Sequence, residues 1–310
     1  MRAVRIGRVA ILLVAVTGFG GPMAASQVVF QTPEQAGRAL IASIESGDQP
    51  RFLSIAGPLM GPLLNSGDKE RDRFERARLV DAAHRRGIRI ASRGADRSEL
   101  YVGDIPQAFP APLVKTDLGW RFDEEAGARE TTARRIQANE KAVQELCRRF
   151  RDAEFAAYAQ GPGGRSTYAE TVRSGPGKHD GLFWHGANDE DESPIGPLFA
   201  AAFMEGGPGE PAVPLFGYYF KILTAQGPDA PGGTADYHVN GELRSGFALI
   251  AWPARYGVTG VRSFLINHLG DLYRKDLGVD SADAAGSLSV YNPDSSWSRV
   301  GIDDESGEKP

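Results

Sequence analysis

The chain is 310 residues long, 41% hydrophobic and 24% charged, an ordinary globular composition with room for two domains. Its formal net charge of -5 supplies no basic field to attract nucleic acid, so nucleic-acid binding is excluded as a working class. A single cysteine, Cys147, excludes an internal disulfide, and the fold must be held by its core.

Arg2, Arg5 and Arg8 precede the apolar run from Val9 to Val16, and Ala24-Ala25-Ser26 places small residues where a signal peptidase reads. The pattern predicts a signal peptide over 1–26, cleaved after Ser26. Its apolar core is about half the ~20 residues that span a bilayer, so no membrane span is expected after cleavage. No Cys lies near the cleavage point, which argues against a lipid anchor. The expected location is the periplasm or the medium.

Thr32-Pro33-Glu34-Gln35 is a helix start: Thr32 can cap, Pro33 suits the first turn, and Gln35 completes a capping box. Ala36, Leu40, Ile41 and Ile44 share one face, and Gly47 ends the helix. Residues 57–67 read as loop, with Leu59, Met60, Leu63 and Leu64 tucked beneath it. A charged helix follows over 68–86, with Phe74, Ala77 and Val80 facing inward and its Arg residues balanced by Glu70, Asp72, Glu75 and Asp81. From Ile88 the period becomes two. Ile88 and Ile90, Leu100 and Val102, Leu113-Val114, and Trp120 and Phe122 mark four strands, the third an edge because of Pro106, Pro110 and Pro112. Helices followed by such a sheet are similar to the cones of the nuclear-transport-factor and cystatin type, a likeness that implies a ligand or partner held at 30–127.

Ala126 to Ala128 mark the boundary between an N-terminal domain over 27–127 and a C-terminal one over 128–300. The longest helix is expected over 130–160, with Ile136, Asn139, Val143, Leu146, Phe150, Ala153 and Ala157 as its inward seam. Cys147 stands beside Arg148-Arg149, where basic neighbours could activate a thiol, but a half-buried structural residue fits better. A polar stretch over 168–191, a short apolar helix over 197–205, a strand over 216–223 and a Gly/Pro loop over 227–233 follow. Phe247 to Trp252, Val261 to Ile266 and Leu272-Tyr273 then form an antiparallel meander. Gly257 and Gly260 predict a bulge or tight corner, or alternatively a loop that a ligand approaches. Residues 301–310 are an acidic, disordered tail.

WRFDEEAG (120–127), ARRIQANE (133–140), SGPGKHDGLFW (174–184), ESPIGPLFA (192–200), GYYFKILTAQGPDAPGG (217–233) and GFALIAWPARYGVTGVRSF (246–264) together resemble one exported bacterial family, Domain of Unknown Function 2950. The resemblance covers the mature chain and implies no assigned activity. Glu154 stands where the family pattern Ala-Gln-x-x-Tyr has Gln, and Gln137-Ala138 replaces Gly-Arg. Over 133–278 the order of long helix, loop, GYYF strand and closing hairpin is similar to pseudopilin soluble domains, which implies a helix on an antiparallel sheet, packing and partner binding rather than chemistry. The apolar N-terminal helix of that family and its processing site are absent. The fold class is therefore α+β: a small cone-like helix-and-sheet domain, then a pilin-like long helix on a sheet.

The sharpest chemical hypothesis is the loop carrying Lys178-His179-Asp180, His185 and the acids Asp189, Glu190 and Asp191. His179, Asp180 and His185 could serve as base and orienter in hydrolysis, and His179, His185, Asp189 and Asp191 could ligate zinc. The spacing matches neither HExxH nor an EF-hand, so solvated polar groups are the plainer reading. Trp184, Tyr218, Tyr219, Trp252 and Tyr256 are candidates to line a groove for glycan or peptide, against the plainer reading of core packing. Gly161-Pro-Gly-Gly and Gly206-Gly-Pro-Gly lack the Lys-Ser/Thr of a phosphate loop, G-x-S-x-G is absent, and no cofactor is expected. His84, His238 and His268 are isolated in the sequence. The functional expectation is a non-catalytic, envelope-associated binding or assembly module for an envelope protein, glycan or peptide; the alternative is a periplasmic hydrolase using the His179/His185 loop.

Overall fold

The computed structural model of the chain describes residues 27–65, 69–160, 166–186, 192–203 and 212–301. The expected signal peptide, the two Gly-rich linkers, the acids Asp189 to Asp191 and nearly all of the acidic tail lie outside the described residues. The chain divides into two compact units, Met1–Ala128 and Arg129–Pro310.

In the first unit, α1 (Pro33–Glu45) begins as its sequence dictates. Gln35 N–H donates to Thr32 Oγ1 at 3.3 Å, and Gln31 N–H donates to Gln35 Oε1 at 3.2 Å. Its buried face contains Ala36, Leu40, Ile41 and Ile44. A Cβ on Gly37 would come within 2.8 Å of Ile88 and 3.0 Å of Leu100, so the missing side chain is what lets this helix lie close on the sheet. Helix α2 (Gln49–Ala56) is capped by Asp48, which accepts the Arg51 N–H, and buries Phe52, Ile55 and Ala56. The stretch expected to be loop is instead a 3₁₀ turn (Pro58–Met60) and a helical turn, α3 (Gly61–Leu64); of its apolar residues only Met60 is fully buried, and Leu59 is exposed.

Helix α4 (Lys69–Arg86) turns a different face inward from the one expected. Phe74 is 66% exposed and Ala77 is exposed, while Ala82 is buried with Leu79, Val80 and Ala83 against it. With so many charges in the helix, the small apolar residues of its last turns set the buried side. Strands β1 (Ile88–Ser92), β2 (Arg97–Val102), β3 (Leu113–Thr116) and β4 (Gly119–Phe122) form one antiparallel sheet in that order. The third strand is thus interior, not an edge. Pro106, Pro110 and Pro112 all precede it in the loop, so none removes a ladder donor from β3.

Helix α5 (Glu124–Gln160) is 37 residues long and starts six residues before the expected position. Asp123 Oδ1 accepts the Ala126 N–H at 3.0 Å and caps it. Gly127, at the expected domain boundary, lies inside the helix, where a Cβ would fall 2.5 Å from Met60 Sδ and 2.6 Å from Ala111 Cβ.

The second unit is built on a five-stranded antiparallel sheet in the order β13-β12-β11-β10-β5. Helix α6 (Pro197–Ala200) precedes β5 (Tyr218–Leu223); then come two short ribbons, β6 (Ala225–Gln226) with β7 (Ala235–Asp236) and β8 (His238–Val239) with β9 (Glu242–Leu243). The expected meander is β10 (Ala248–Pro253), β11 (Arg262–Asn267) and β12 (Leu272–Asp276), with Ile250 opposite Leu265 and Leu265 opposite Tyr273. Helix α7 (Ser281–Ser287) and β13 (Ser298–Arg299) complete it. Every residue of β10 is buried, which explains its unbroken apolar run. Phe216 is not in β5: with Gly217 it forms the two-residue turn across which Leu215 and Tyr218 exchange N–H···O bonds, at φ 48 and 71.

The long helix packs on this sheet through Asn139, Val143, Cys147, Phe150, Ala153, Glu154 and Ala157, all buried. Phe150 meets Phe203 and Phe247 at ring-centroid distances of 5.9 and 5.8 Å. Among the described residues, no helix is long and apolar enough to cross a membrane.

Candidate functional site

The fold brings the histidine-loop and aromatic candidates to one place only in part. The loop over 172–185 is braced at its neck. Leu182 and Phe183 N–H groups both donate to Val172 O, at 2.9 and 2.8 Å, and Ser174 N–H donates to Phe183 O at 2.9 Å. Val172, Leu182 and Phe183 are buried and anchor it. A Cβ on Gly181 would lie 2.8 Å from the Arg173 and Ser174 backbone, so only glycine permits this crossing. The tip is closed by Asp180, which accepts the Gly175 N–H at 2.8 Å and lies 3.7 Å from Lys178 Nζ. Gly181 N–H donates to Ser174 Oγ at 2.9 Å, and Gly177 takes φ 69.

Several side chains stand out from this scaffold. The His179 imidazole stacks on the Trp184 indole, centroids 4.3 Å apart and planes 14° apart; His185 meets Phe183 edge-on at 5.1 Å. Lys178, His179 and His185 are exposed, and Trp184 is half-buried. Together with Arg173 and the Gly175-Pro176-Gly177 turn they line a cleft of about 290 Å³. Arg173 and Phe183 were not singled out by sequence. The available signal was the position of Arg173 one residue before the SGPGKHDGLFW motif and of Phe183 as its penultimate residue.

Asp180 is engaged by the loop itself. Asp189 and Asp191, the other half of the metal hypothesis, lie outside the described residues, and among the described residues no three His, Cys, Asp or Glu side chains are grouped to hold a metal ion. Of the remaining aromatic candidates, Tyr218 and Trp252 are core residues. Tyr219 lies against Trp252 at 6.2 Å, and Tyr256 donates its hydroxyl to Asp276 at 3.1 Å on another loop.

Tyr218 instead organises a structural knot. Its hydroxyl donates to Arg262 O at 2.8 Å, directly over Gly260, where a Cβ would fall 1.9 Å from that oxygen. From α5, Asn139 donates to Thr259 O at 2.9 Å, and Glu140 Oε1 accepts the Val261 and Arg262 N–H groups. Gly257 and Gly260 therefore mark a tight corner, with Gly257 at φ 70.

Cys147 is fully buried, and burial pushes its thiol up to about 12, so the helix holds no reactive nucleophile there. Glu154, missed by sequence as anything but a departure from the family pattern, is also fully buried. One oxygen accepts the Ala169 N–H at 2.9 Å, and burial pushes the carboxyl from its ordinary 4.5 up to about 8. His84 lies 3.0 Å from Glu45, and His238 is flanked by Asp236 at 2.9 Å and Glu170 at 3.6 Å, with the Asp236 hydrogen bond favouring its charged form. His268 is enclosed by Tyr237 and Phe247, and burial disfavours its charged form.

No curated protein and no solved structure matches the chain, so the likeness to pseudopilins rests on sequence pattern alone. A family model described as "Protein of unknown function (DUF2950)" does match, over residues 27–300, and the chain belongs to that family.

Proposed function

We propose that this is an exported, non-catalytic binding protein of the bacterial envelope, and that the cleft of the 173–185 loop is where it binds. The observation that carries this reading is the loop's division of labour. Gly175, Asp180, Gly181 and Leu182 build the scaffold through hydrogen bonds, while the side chains of the stacked His179–Trp184 pair and of His185 line the cleft, and that of Lys178 lies 3.7 Å from Asp180. Lys178, His179 and His185 are exposed and Trp184 is half-buried, so a ligand can meet them there. Asp180, the carboxylate of the hydrolase alternative, is engaged by the Gly175 N–H and Lys178 rather than by an imidazole, which favours binding over hydrolysis through that residue. Export is supported by Arg2, Arg5 and Arg8, the Val9–Val16 run and the Ala24-Ala25-Ser26 cleavage pattern.

The test has two arms. Fractionation with intact-mass measurement of the exported protein should give a chain beginning at Gln27; a chain still carrying Met1 refutes export by cleavage. Crosslinking in the cell from position 179 or 184, followed by mass spectrometry, should capture envelope material that crosslinkers at exposed Leu118 do not. Equal capture from both places refutes the cleft as the binding site.

A further inference from the structure

We infer that the ligand of this cleft is an acidic sugar: a saccharide bearing a carboxylate or comparable anionic group. The inference rests on the binding reading above and specifies its chemistry. In a chain of net charge -5, the residues lining the cleft include Arg173, Lys178, His179 and His185 and, among the described residues, no carboxylate. Asp180, next in the chain, is turned to the Gly175 N–H and to Lys178. Such a concentration of nitrogen donors against the charge of the whole protein selects an anion.

The rest of the lining selects a ring. Half-buried Trp184, stacked on one side by His179, brings aromatic surface beside these donors, and an aromatic face packs against the C–H face of a sugar while cations at its margin meet an acidic substituent. A peptide is the less fitting occupant. Peptides are commonly held by main-chain bonds to an open strand edge, yet here the N–H groups of Ser174, Gly175, Lys178, Gly181, Leu182 and Phe183 all donate within the loop. Recognition falls to side chains. The cleft volume of about 290 Å³ is at the small end of ligand sites, which run from about 300 to 1,000 Å³, and suits a short saccharide segment rather than a cofactor.

The experiment is a fluorescence and calorimetric titration of the purified exported protein with trigalacturonate, maltotriose and triglutamate. Trigalacturonate should bind, with the other two at least about tenfold weaker. Lys178→Ala should weaken trigalacturonate by roughly tenfold or more, the usual effect of losing one charged hydrogen bond, without altering thermal unfolding. Trp184→Ala should abolish the fluorescence response. Equal affinity for trigalacturonate and maltotriose overturns the acidic specificity while leaving the cleft as a binding site. Triglutamate binding as tightly as trigalacturonate overturns the sugar. A tenfold loss of trigalacturonate affinity in the Asp189→Asn, Glu190→Gln, Asp191→Asn triple variant overturns the anion reading, since it makes carboxylates the groups that bind. No Trp184-dependent response to any of the three overturns both this inference and the binding reading beneath it.

Discussion

Replacing Glu154 by Gln should stabilise the protein, by an amount that grows with pH. The carboxyl is fully buried in the core of the second unit, one oxygen holding the Ala169 N–H and the other without a hydrogen-bond partner among the described residues. Tyr168 faces it, its phenol raised by burial and then by Tyr158 and Glu154. Burial, opposed only by the Ala169 N–H, lifts the acid from 4.5 to about 8. Between those values the folded chain holds a proton that the unfolded chain has released, so the native state binds more protons and stability falls as pH rises. The contribution is whole below about 4.5 and fully lost above about 8. At about 1.4 kcal/mol per pH unit, the loss is on the order of 3 kcal/mol at pH 7 and 5 kcal/mol above pH 8. Gln has the shape of the protonated acid, keeps an oxygen for Ala169 and cannot ionise. Urea unfolding followed by tryptophan fluorescence at about pH 5, 7 and 9 should therefore show Glu154→Gln and the parent nearly equal at pH 5 and diverging above it. Exchange of the Ala169 amide should quicken with pH in the parent beyond the intrinsic trend and not in the variant. Parallel pH curves for the two proteins would refute the assignment of a buried, protonated Glu154.

The two-sided use of glycine is a second test. Gly260→Ala should destabilise by about 3 kcal/mol or more, because its Cβ would meet the buried Tyr218 ring, which has nowhere to move. Gly286→Ala, in α7 with nothing within 4 Å, should stabilise by about 0.5–1 kcal/mol; thermal unfolding of both variants reads the opposite signs. Cys147, with its thiol pushed up to about 12, should resist alkylation at pH 8 in the native protein and react at once in denaturant; rapid native labelling would refute its burial.

What the sequence revealed of the fold followed local chemistry. The Thr32 cap, the seam of α5 and the apolar run of β10 are each written in a few adjacent residues, and each formed as expected. The misreadings arose where a residue's local meaning was overridden by contact. Phe74 looks like a core residue and is exposed; the prolines before β3 look like an edge and only shape the loop that leads to it. Helix α7 and β13 left no period to read, since in 281–299 Leu288, Val290, Tyr291 and Trp297 are irregularly spaced among small and polar residues. In the site, the residue types of the loop were legible but their geometry was not. The brace joins Val172 to Phe183 and Gly175 to Asp180, pairings fixed by which backbone atoms meet rather than by any repeating pattern.

The longest motifs of the family turn out to do two different kinds of work. GYYF and WPARYGVTG, far apart in sequence, converge on the knot of Tyr218, Gly260, Thr259 and Asn139, where every distinctive residue is explained by a contact. Length and peculiarity of a motif there signify packing. SGPGKHDGLFW differs, because packing accounts for only part of it: Gly181 permits the crossing and Asp180 ties the tip, yet Lys178, His179 and Trp184 could be replaced without loosening any hydrogen bond of the brace described for the loop. A stacked imidazole and indole at an exposed tip forgo much of the burial that their apolar area could have earned in a core, on the order of 25 cal/mol per Å². Function is best sought where a side chain is exposed by a scaffold built largely from other residues, and that is the ground on which the 173–185 cleft is proposed over the better-packed aromatics of the sheet.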